Sequence, residues 1–443
     1  MLQSPHGPRA SADANPRDAD ARLHPPCRGV EPHGGEGRSL SSPRVWPDFR
    51  RLWAAHSVSI FGDQLTLVAL PLATYAATHS AVAVGVVASA EAVTAVLFGL
   101  PAGALADRLP YRRVLVLTDI GRVGVLLALV LSLRWQGGVS VLLPAALGLG
   151  IVRVVHDAAA NAAVPLVVDS DALVAANGRL QASEAASTAI GPAIAGALIA
   201  VGGTSLAFGI DAATFVLSGT TVARVRRLDD APPPEDLDRT RSRLRQFCHD
   251  VGDGLRTLRA DQPMRRIVTM MAAMNVVAVA VEAQFIPYAR EVLGIGALGI
   301  GAYFALGGSV AVAVALLAGR STAALGSAVV VGLAVFATGV TIAGLFPSFL
   351  TVAVAYVGAG AGSALVTTHA ATFRQRRFPV RLQGRLSMAV RALILAPMPV
   401  GFIAGGWLSQ HGGPERLFTV AGLVGLSVAG WGLVSGTARL REA

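Results

Sequence analysis

The chain has 443 residues, of which 53% are hydrophobic and only 14% are charged, and its mean hydropathy is +0.57. Soluble domains carry about 25% charged residues, so this composition excludes an ordinary water-soluble globule and indicates many membrane spans. All 37 basic side chains are arginine, and the net charge of +10 is explained by where they lie along the chain rather than by nucleic-acid binding.

Residues 1–46 are rich in Pro, Gly, Ser, Arg and Asp and contain no long apolar run. Such a segment cannot bury enough apolar surface to offset the entropy of ordering, so we predict a disordered cytoplasmic tail. It also lacks the apolar core that a secretory signal requires.

Beyond this tail, the chain consists of apolar stretches separated by short polar loops. A spanning helix needs about 20 apolar residues, and twelve stretches meet this length. We place the predicted spans at 52–77, 81–106, 114–133, 140–166, 176–200, 205–223, 266–289, 297–319, 323–346, 348–372, 386–408 and 416–437.

The arginines lie almost entirely on one side of these spans. If the N-terminus is cytoplasmic, the outer loops hold only Arg134, Arg290 and Arg416, and all the other loop arginines are cytoplasmic. This asymmetry follows the positive-inside rule and predicts that both termini are cytoplasmic.

The longest inner loop, 225–264, separates six spans from six. It contains a basic amphipathic pattern, which predicts a helix lying on the lipid headgroups, with an apolar face made of Leu244, Phe247, Val251, Leu255 and Leu258. The predicted domains are therefore a six-helix bundle at 47–224, this linker, a second bundle at 265–437 and a short cytoplasmic tail at 438–443.

The two halves show traces of an internal repeat. Pro71 and Gly85 recur as Pro287 and Gly301 at an offset of 216 residues, and Arg153 corresponds to His369 at the same offset. Duplicated bundles of this kind are typical of one class of secondary transporter.

The loop between spans two and three, residues 103–113, contains the sequence Gly-Ala-Leu-Ala-Asp-Arg-Leu-Pro-Tyr-Arg-Arg. It resembles the Gly-x-Leu-Ala-Asp-Arg-x-Gly-Arg-Arg signature of the major facilitator superfamily, with Pro110 and Tyr111 replacing the family's Gly and first paired Arg. The resemblance implies an all-α membrane protein with two pseudo-symmetric six-helix bundles around a central cavity. It also implies a charged gate formed by Gly103, Asp107, Arg108, Arg112 and Arg113, extended into span three by Asp119 and Arg122.

Span five contains Gly191, Pro192 and Gly196 in a pattern that resembles the Gly-Pro-x-x-Gly-Gly motif of the family's exporters. A plain packing kink explains the same residues equally well. Further stretches, including 47–53 and 211–215, resemble the macrolide-efflux and enterobactin-exporter-like branch, which is a drug:proton antiporter branch.

Ionisable residues inside a membrane cost at least a few kcal/mol and are functional candidates. The resemblance places spans one, four, seven and ten around the cavity, so the residues expected on a shared aqueous path are Asp63, Arg153, His156, Asp157, Glu282 and His369. A static pair between Arg153 and Asp157 is the alternative to a role in coupling. Glu91 and Glu184 are either cavity acids or partners for Arg391 in span eleven, and we favour structural roles for both of them and for Asp211.

These features predict a secondary transporter that exports small amphipathic or hydrophobic compounds by proton antiport, with Asp63 as the first candidate proton carrier and Asp157 as the second. The alternatives are a lysolipid flippase, a siderophore exporter or an importer on the same fold, and a transport-dead membrane sensor or scaffold. No nucleotide-binding loop, zinc-ligand spacing or catalytic triad indicates an enzyme, a cofactor or a metal site. We expect a monomer in a bacterial cell membrane that contacts substrate, protons and lipid but no nucleic acid.

Overall fold

The computed structural model of the protein describes residues 47–106, 109–133, 138–228, 237–318 and 325–440. Regular structure in this part of the chain is helical throughout, which confirms the predicted fold class. The predicted tail at 1–46 lies outside the described residues.

Thirteen α-helices are present in the described ranges. Their bounds are α1 Pro47–Thr78, α2 Ala81–Ala106, α3 Tyr111–Leu133, α4 Val139–Val167, α5 Leu173–Val222, α6 Leu237–Ala260, α7 Gln262–Pro287, α8 Ala297–Ala318, α9 Leu325–Leu345, α10 Phe349–Arg377, α11 Val380–Leu395, α12 Met398–Gly412 and α13 Pro414–Val434.

Eleven segments of the described chain are long and apolar enough to cross a membrane. One of them, α5, has 50 residues and would be about 75 Å long, far more than a bilayer core of about 30 Å. Gly203 interrupts it with φ of 71°, a conformation that favours glycine, and so divides it into two crossings. Helices α11 and α12, separated near Pro397, together form one crossing. The predicted count of twelve spans is therefore consistent with the structure.

Helices α1–α5 pack on one another in the first half of the chain, and α7–α13 pack together in the second. The two halves meet through α2 with α12 and through α5 with α8. These two contacts are equivalent under the repeat. A side chain at Gly85 would collide with the carbonyl oxygen of Phe402, and one at Gly301 would collide with that of Pro192. The repeated glycines thus allow the same close helix approach at both contacts between the halves, α2 with α12 and α5 with α8, which we call the seams.

The seams between the halves extend to one end of the bundle, called here the Gly203 end. At this end the amide of Ala81 donates to Gln410 Oε1 at 2.8 Å, and Gln284 Nε2 donates to the carbonyl of Ala81 at 3.0 Å. Tyr75 also hydrogen-bonds to Glu291, its own counterpart at the offset of 216. The opposite end, called the arginine-rich end, carries α6 and the residues 374–385.

Helix α6 lies at the arginine-rich end and packs against α11. Leu258 is buried, and a Cβ at Gly254 would lie 2.5 Å from the carbonyl oxygen of Arg385. The guanidinium of Arg385 reaches Asp250 at 2.8 Å and Asp253 at 3.4 Å. Part of the apolar face of residues 249–260 thus packs against α11, whereas Val251 and Leu255 are half-buried, and contact of this helix with lipid headgroups stays a prediction.

Candidate functional site

A cavity of about 330 Å³ lies between the two halves. Helices α1, α2, α4 and α5 supply most of one wall, and α7, α8 and α12 supply the other. The wall is largely apolar, with side chains such as Leu67, Leu70, Val87 and Ile286. Its charged residues are Asp63, Glu91, Arg122, Arg153, Asp211 and Glu282.

Arg122 on α3 is almost completely buried, with 2% of its surface exposed. Its Nη1 atom donates to Ser59 Oγ at 3.2 Å and lies 3.9 Å from Asp63 Oδ1. The guanidinium also stacks over the Phe215 ring, 4.8 Å from its centroid, a favourable cation–π arrangement. Its Nη2 atom has no hydrogen-bond partner among the described residues. Arg122 thus neutralises Asp63 and retains a free donor.

Arg153 on α4 forms a second ion pair, with Glu91 on α2. Its Nε atom lies 3.9 Å from Asp157 Oδ2, one turn further along the same helix. All three side chains are about half exposed. The predicted contact between Arg153 and Asp157 is therefore present, but Arg153 has a second acidic partner that joins α4 to α2.

Asp211 lies in the second segment of α5 and is 1% exposed. Its carboxylate accepts hydrogen bonds from Thr66 at 2.5 Å and from Thr214 at 3.3 Å. A side chain at Gly62 would overlap both Asp211 and Thr214, so glycine is required for this approach of α1 to α5. No cation lies within ion-pair distance of Asp211 in the described ranges.

Glu282 on α7 is the charged residue that the second half contributes to the cavity wall. Its side chain is exposed to the cavity, and it forms no hydrogen bond or ion pair with any described residue. It therefore differs from the acids of the opposite wall, each of which contacts an arginine or hydroxyl groups.

The two histidines of the predicted path occupy other positions. His156 is 5% exposed and hydrogen-bonds to Thr118 at 3.0 Å, with Asp119 at 3.5 Å from the same ring nitrogen. His369 is 4% exposed, and its Nδ1 lies 2.9 Å from the carbonyl oxygen of Leu365 on its own helix. Neither histidine lines the described cavity, and neither does Asp157. Of the residues expected on a shared path, Asp63, Arg153 and Glu282 line the described cavity, and their role in coupling stays a prediction.

The predicted gate is only partly visible. Asp107 and Arg108 lie outside the described residues, and Gly103 lies near the end of α2. Arg112 and Arg113 begin α3, and Arg113 is exposed. Asp119 and Arg122 belong instead to the buried interior of the first half, where they contact residues of α1, α4 and α5.

The exporter-like segment lies inside α5, where it meets two other helices. A Cβ at Gly191 would lie 2.5 Å from Gln64 Cβ on α1, and one at Gly196 would lie 2.5 Å from the Ala297 carbonyl oxygen on α8. Non-helical backbone angles in α5 occur at Gly203 and not at Pro192. The small residues around Pro192 therefore give close packing, with α1 of the same half at Gly191 and with α8 of the other half at Gly196.

Three residues of the cavity wall, Glu91, Arg122 and Asp211, are not part of the predicted shared path. The sequence places Arg122 in the gate, and it favours structural roles for Asp211 and for Glu91, with a cavity acid as the alternative for Glu91. The available signal was their charge within apolar runs, but the direction in which each side chain points depends on how the helices pack.

One group of metal-ligand type occurs in the described residues, formed by His249, Asp250 and Asp253 on α6. Asp253 already contacts Arg256 and Arg385, and Asp250 contacts Arg385. The carboxylates are thus neutralised by arginine, and we assign no metal to them.

Comparison with known families places these features in context. The sequence profile of the Major Facilitator Superfamily matches residues 52–396. No curated protein matches the sequence.

Several solved transporters have a similar fold. A bacterial homologue of the iron transporter ferroportin, in an inward-facing state, has 17% identity and a TM-score of 0.70 over 87% of this chain and 98% of that chain. A bacterial homologue of the human lysosomal transporter Spinster, inward-facing and unoccupied, has 14% identity and a TM-score of 0.66 over 89% and 97%. A peptide transporter, POT, in complex with sulfate has 14% identity and a TM-score of 0.66 over 90% and 96%.

Proposed function

Because the chain belongs to the Major Facilitator Superfamily, it is a secondary transporter and not an enzyme, and we propose that it exports small amphipathic or hydrophobic compounds in exchange for protons. The proposal rests on the two ion pairs in the cavity, Asp63 with Arg122 and Glu91 with Arg153. Each pair joins two different helices, so protonation of its acid weakens a contact that holds those helices together.

The composition of the cavity supports the proposed class of substrate. Sites for small molecules are mostly apolar, with a few polar groups that fix orientation and specificity. Here leucine, valine, isoleucine and phenylalanine side chains surround six charged residues. An amphipathic compound satisfies both kinds of surface.

In the proposed cycle, a proton from outside neutralises the Asp63 carboxylate and releases Arg122 from it. Arg153 lies between Glu91 and Asp157, so it can exchange one acidic partner for the other as the helices move. Loss of the proton on the inner side restores the Asp63 charge and its contact with Arg122. Each proton that moves inward supplies about 2.3 kcal/mol per 100 mV of membrane potential.

We place the protein in a bacterial cell membrane with both termini in the cytoplasm, as the arginine distribution favours. On this placement the Gly203 end, where the halves interlock, faces outward, and we propose that the cavity opens inward. Two of the structural neighbours are also described as inward-facing. Since one chain supplies both walls of the cavity, a monomer is sufficient for transport.

The test is proton movement in energised inverted vesicles that contain the protein, with a panel of lipophilic cations, macrolides and siderophores as candidate substrates. We expect substrate-dependent proton release that is abolished by Asp63→Asn and by Arg153→Ala. The matched controls are Asp48→Asn in the first turn of α1 and Arg416→Ala, an exposed arginine in the first turn of α13 outside the cavity, and both should behave as wild type.

Other results would favour the alternatives. Substrate binding without proton movement would indicate a facilitator or a lipid flippase. Neither binding nor proton movement across the panel would favour a sensor. Unchanged activity after deletion of residues 1–46 would argue against a sensor that signals through its tail.

A further inference from the structure

The charges of the cavity are not balanced. Its described wall carries four carboxylates and two guanidiniums, which already contact Asp63 and Glu91. Asp211 is stabilised by two threonine hydroxyls. Glu282 is the remaining acid, and it has neither a cation nor a hydrogen-bond donor among the described residues.

Apolar and aromatic groups form the rest of the wall on this side. Ala283, Ile286 and Met398 line the cavity with Glu282, as do the rings of Phe304 and Phe402. A carboxylate that is exposed to the cavity among such groups carries a negative charge that attracts a cation. No described residue supplies a positive group for this side chain, so such a group has to come from a bound compound.

The phenylalanine ring on α8 is held in a fixed orientation by its neighbours. Phe304 packs edge-on against Phe285 and Tyr356, with ring centroids 5.5 and 5.6 Å apart. A rigid aromatic surface attracts organic cations through its quadrupole, in addition to its apolar contact. A carboxylate together with aromatic rings on one wall is a suitable arrangement for an ammonium or phosphonium group.

We infer that Glu282 binds the positively charged group of the transported compound and that the cavity accepts organic cations. This inference rests on the proposed transport function, which it deepens by naming the substrate class. A bound cation neutralises Glu282 without displacing Arg122 or Arg153, whereas an anion would meet an uncompensated carboxylate. The two halves then have different roles: the first half supplies the ion pairs, and the second half supplies the carboxylate that binds the substrate.

The test uses tetraphenylphosphonium and tetraphenylborate, two ions of almost the same shape and opposite charge. Binding of each to the purified full-length protein is measured by equilibrium dialysis, so no membrane potential is needed. We expect wild type to bind tetraphenylphosphonium in preference to tetraphenylborate. Because Glu282→Gln removes the one carboxylate of the described wall that has no partner, it should weaken cation binding by about tenfold or more.

Three variants make the result specific. Glu282→Asp keeps the charge and should retain part of the affinity that Glu282→Gln loses. Glu415→Gln removes a carboxylate outside the cavity, in the first turn of α13, and should bind as wild type does. Thermal unfolding of each variant verifies that a change in affinity is not a loss of fold.

The inference is overturned if Glu282→Gln binds tetraphenylphosphonium as tightly as wild type, if wild type prefers tetraphenylborate, or if it binds neither ion. The vesicle assay separates this failure from failure of the proposed function. Cation binding that depends on Glu282 without proton movement would overturn proton exchange alone. Proton release driven by a neutral or anionic substrate, and unaffected by Glu282→Gln, would overturn the cation site alone.

Discussion

The cavity wall from the first half of the chain carries five of the described charged residues, whereas the wall from the second half carries Glu282. The helices themselves are related by a repeat, and the glycines of the two seams, Gly85 and Gly301, fulfil the same packing role. The charges do not follow the repeat, because at the offset of 216 Asp63 corresponds to Val279 and Glu91 to Gly307. The duplicated backbone has thus been kept while the chemistry of its two walls has diverged.

The two walls also differ in how their charges are stabilised. On the first wall, the acids contact arginines or threonine hydroxyls on other helices or on their own. On the second wall, the one described acid has no such contact. A charge that is paired contributes to the fold, so its removal should affect stability, whereas removal of an unpaired charge should affect only binding.

The largest expected effect is that of Arg122→Ala. This change leaves Asp63, whose side chain is 20% exposed, without its cation. Breaking a fully buried pair costs about 3–5 kcal/mol, and we expect a value near the lower end of that range. Thermal unfolding in detergent should therefore show a strong decrease in stability, which Arg122→Ala combined with Asp63→Asn should partly reverse. The control, Arg113→Ala, removes an exposed arginine of the same helix, and its effect should stay within about 0.5 kcal/mol. Equal effects of the two alanine variants would contradict the assigned pair.

A smaller effect is expected for the pair of Glu91 and Arg153, because both side chains are about half exposed. Ion pairs with that much exposure contribute about 1 kcal/mol or less. A double-mutant cycle with Glu91→Gln and Arg153→Gln should nevertheless show non-additive changes in stability, since the two residues are in contact. Strict additivity would show that the pair does not couple α2 to α4.

Asp211→Asn should change stability by about 1 kcal/mol or less, because the amide oxygen still accepts a hydrogen bond from Thr66 and no cation is left unpaired. Asp211→Leu is the informative contrast, since it removes the acceptor of the Thr66 hydroxyl and should cost more. Unfolding midpoints of the two variants, measured side by side, test this order. If the asparagine variant were the less stable of the two, the carboxylate charge itself would contribute to the fold.

The smallest effect on stability is expected for Glu282→Gln. Because Glu282 has no partner among the described residues, the unfolding free energy of the Glu282→Gln protein should differ from that of wild type by no more than about 0.5 kcal/mol. A loss of stability as large as that of Arg122→Ala would contradict the distinction between the paired charges of the first wall and the unpaired acid of the second. It would show that Glu282 is part of the structural charge network and not a free anchor.

Several features followed from the sequence because they depend on local composition. Hydropathy placed twelve spans, and within the described residues the structure differs in two places: spans five and six form one long helix interrupted at Gly203, and span eleven is divided into α11 and α12 near Pro397. The signature at 103–113 indicated the superfamily, which the match over residues 52–396 confirms. The choice of cavity residues was less accurate, since His156 and His369 are buried in helix contacts while Glu91, Arg122 and Asp211 line the cavity.

The sequence by itself determined the membrane class, the number of spans, the repeat and the family, because each depends on the order and apolar character of residues along the chain. Only the tertiary structure decided which charges meet. A charged residue in a spanning helix points in one of several directions, and its partner is supplied by whichever helix packs beside it. Arg122 contacts Asp63 across 59 positions of sequence, Arg153 contacts Glu91 across 62, and Glu282 contacts neither arginine. Which of these side chains come into contact depends on helix packing, and no local sequence pattern specifies that packing.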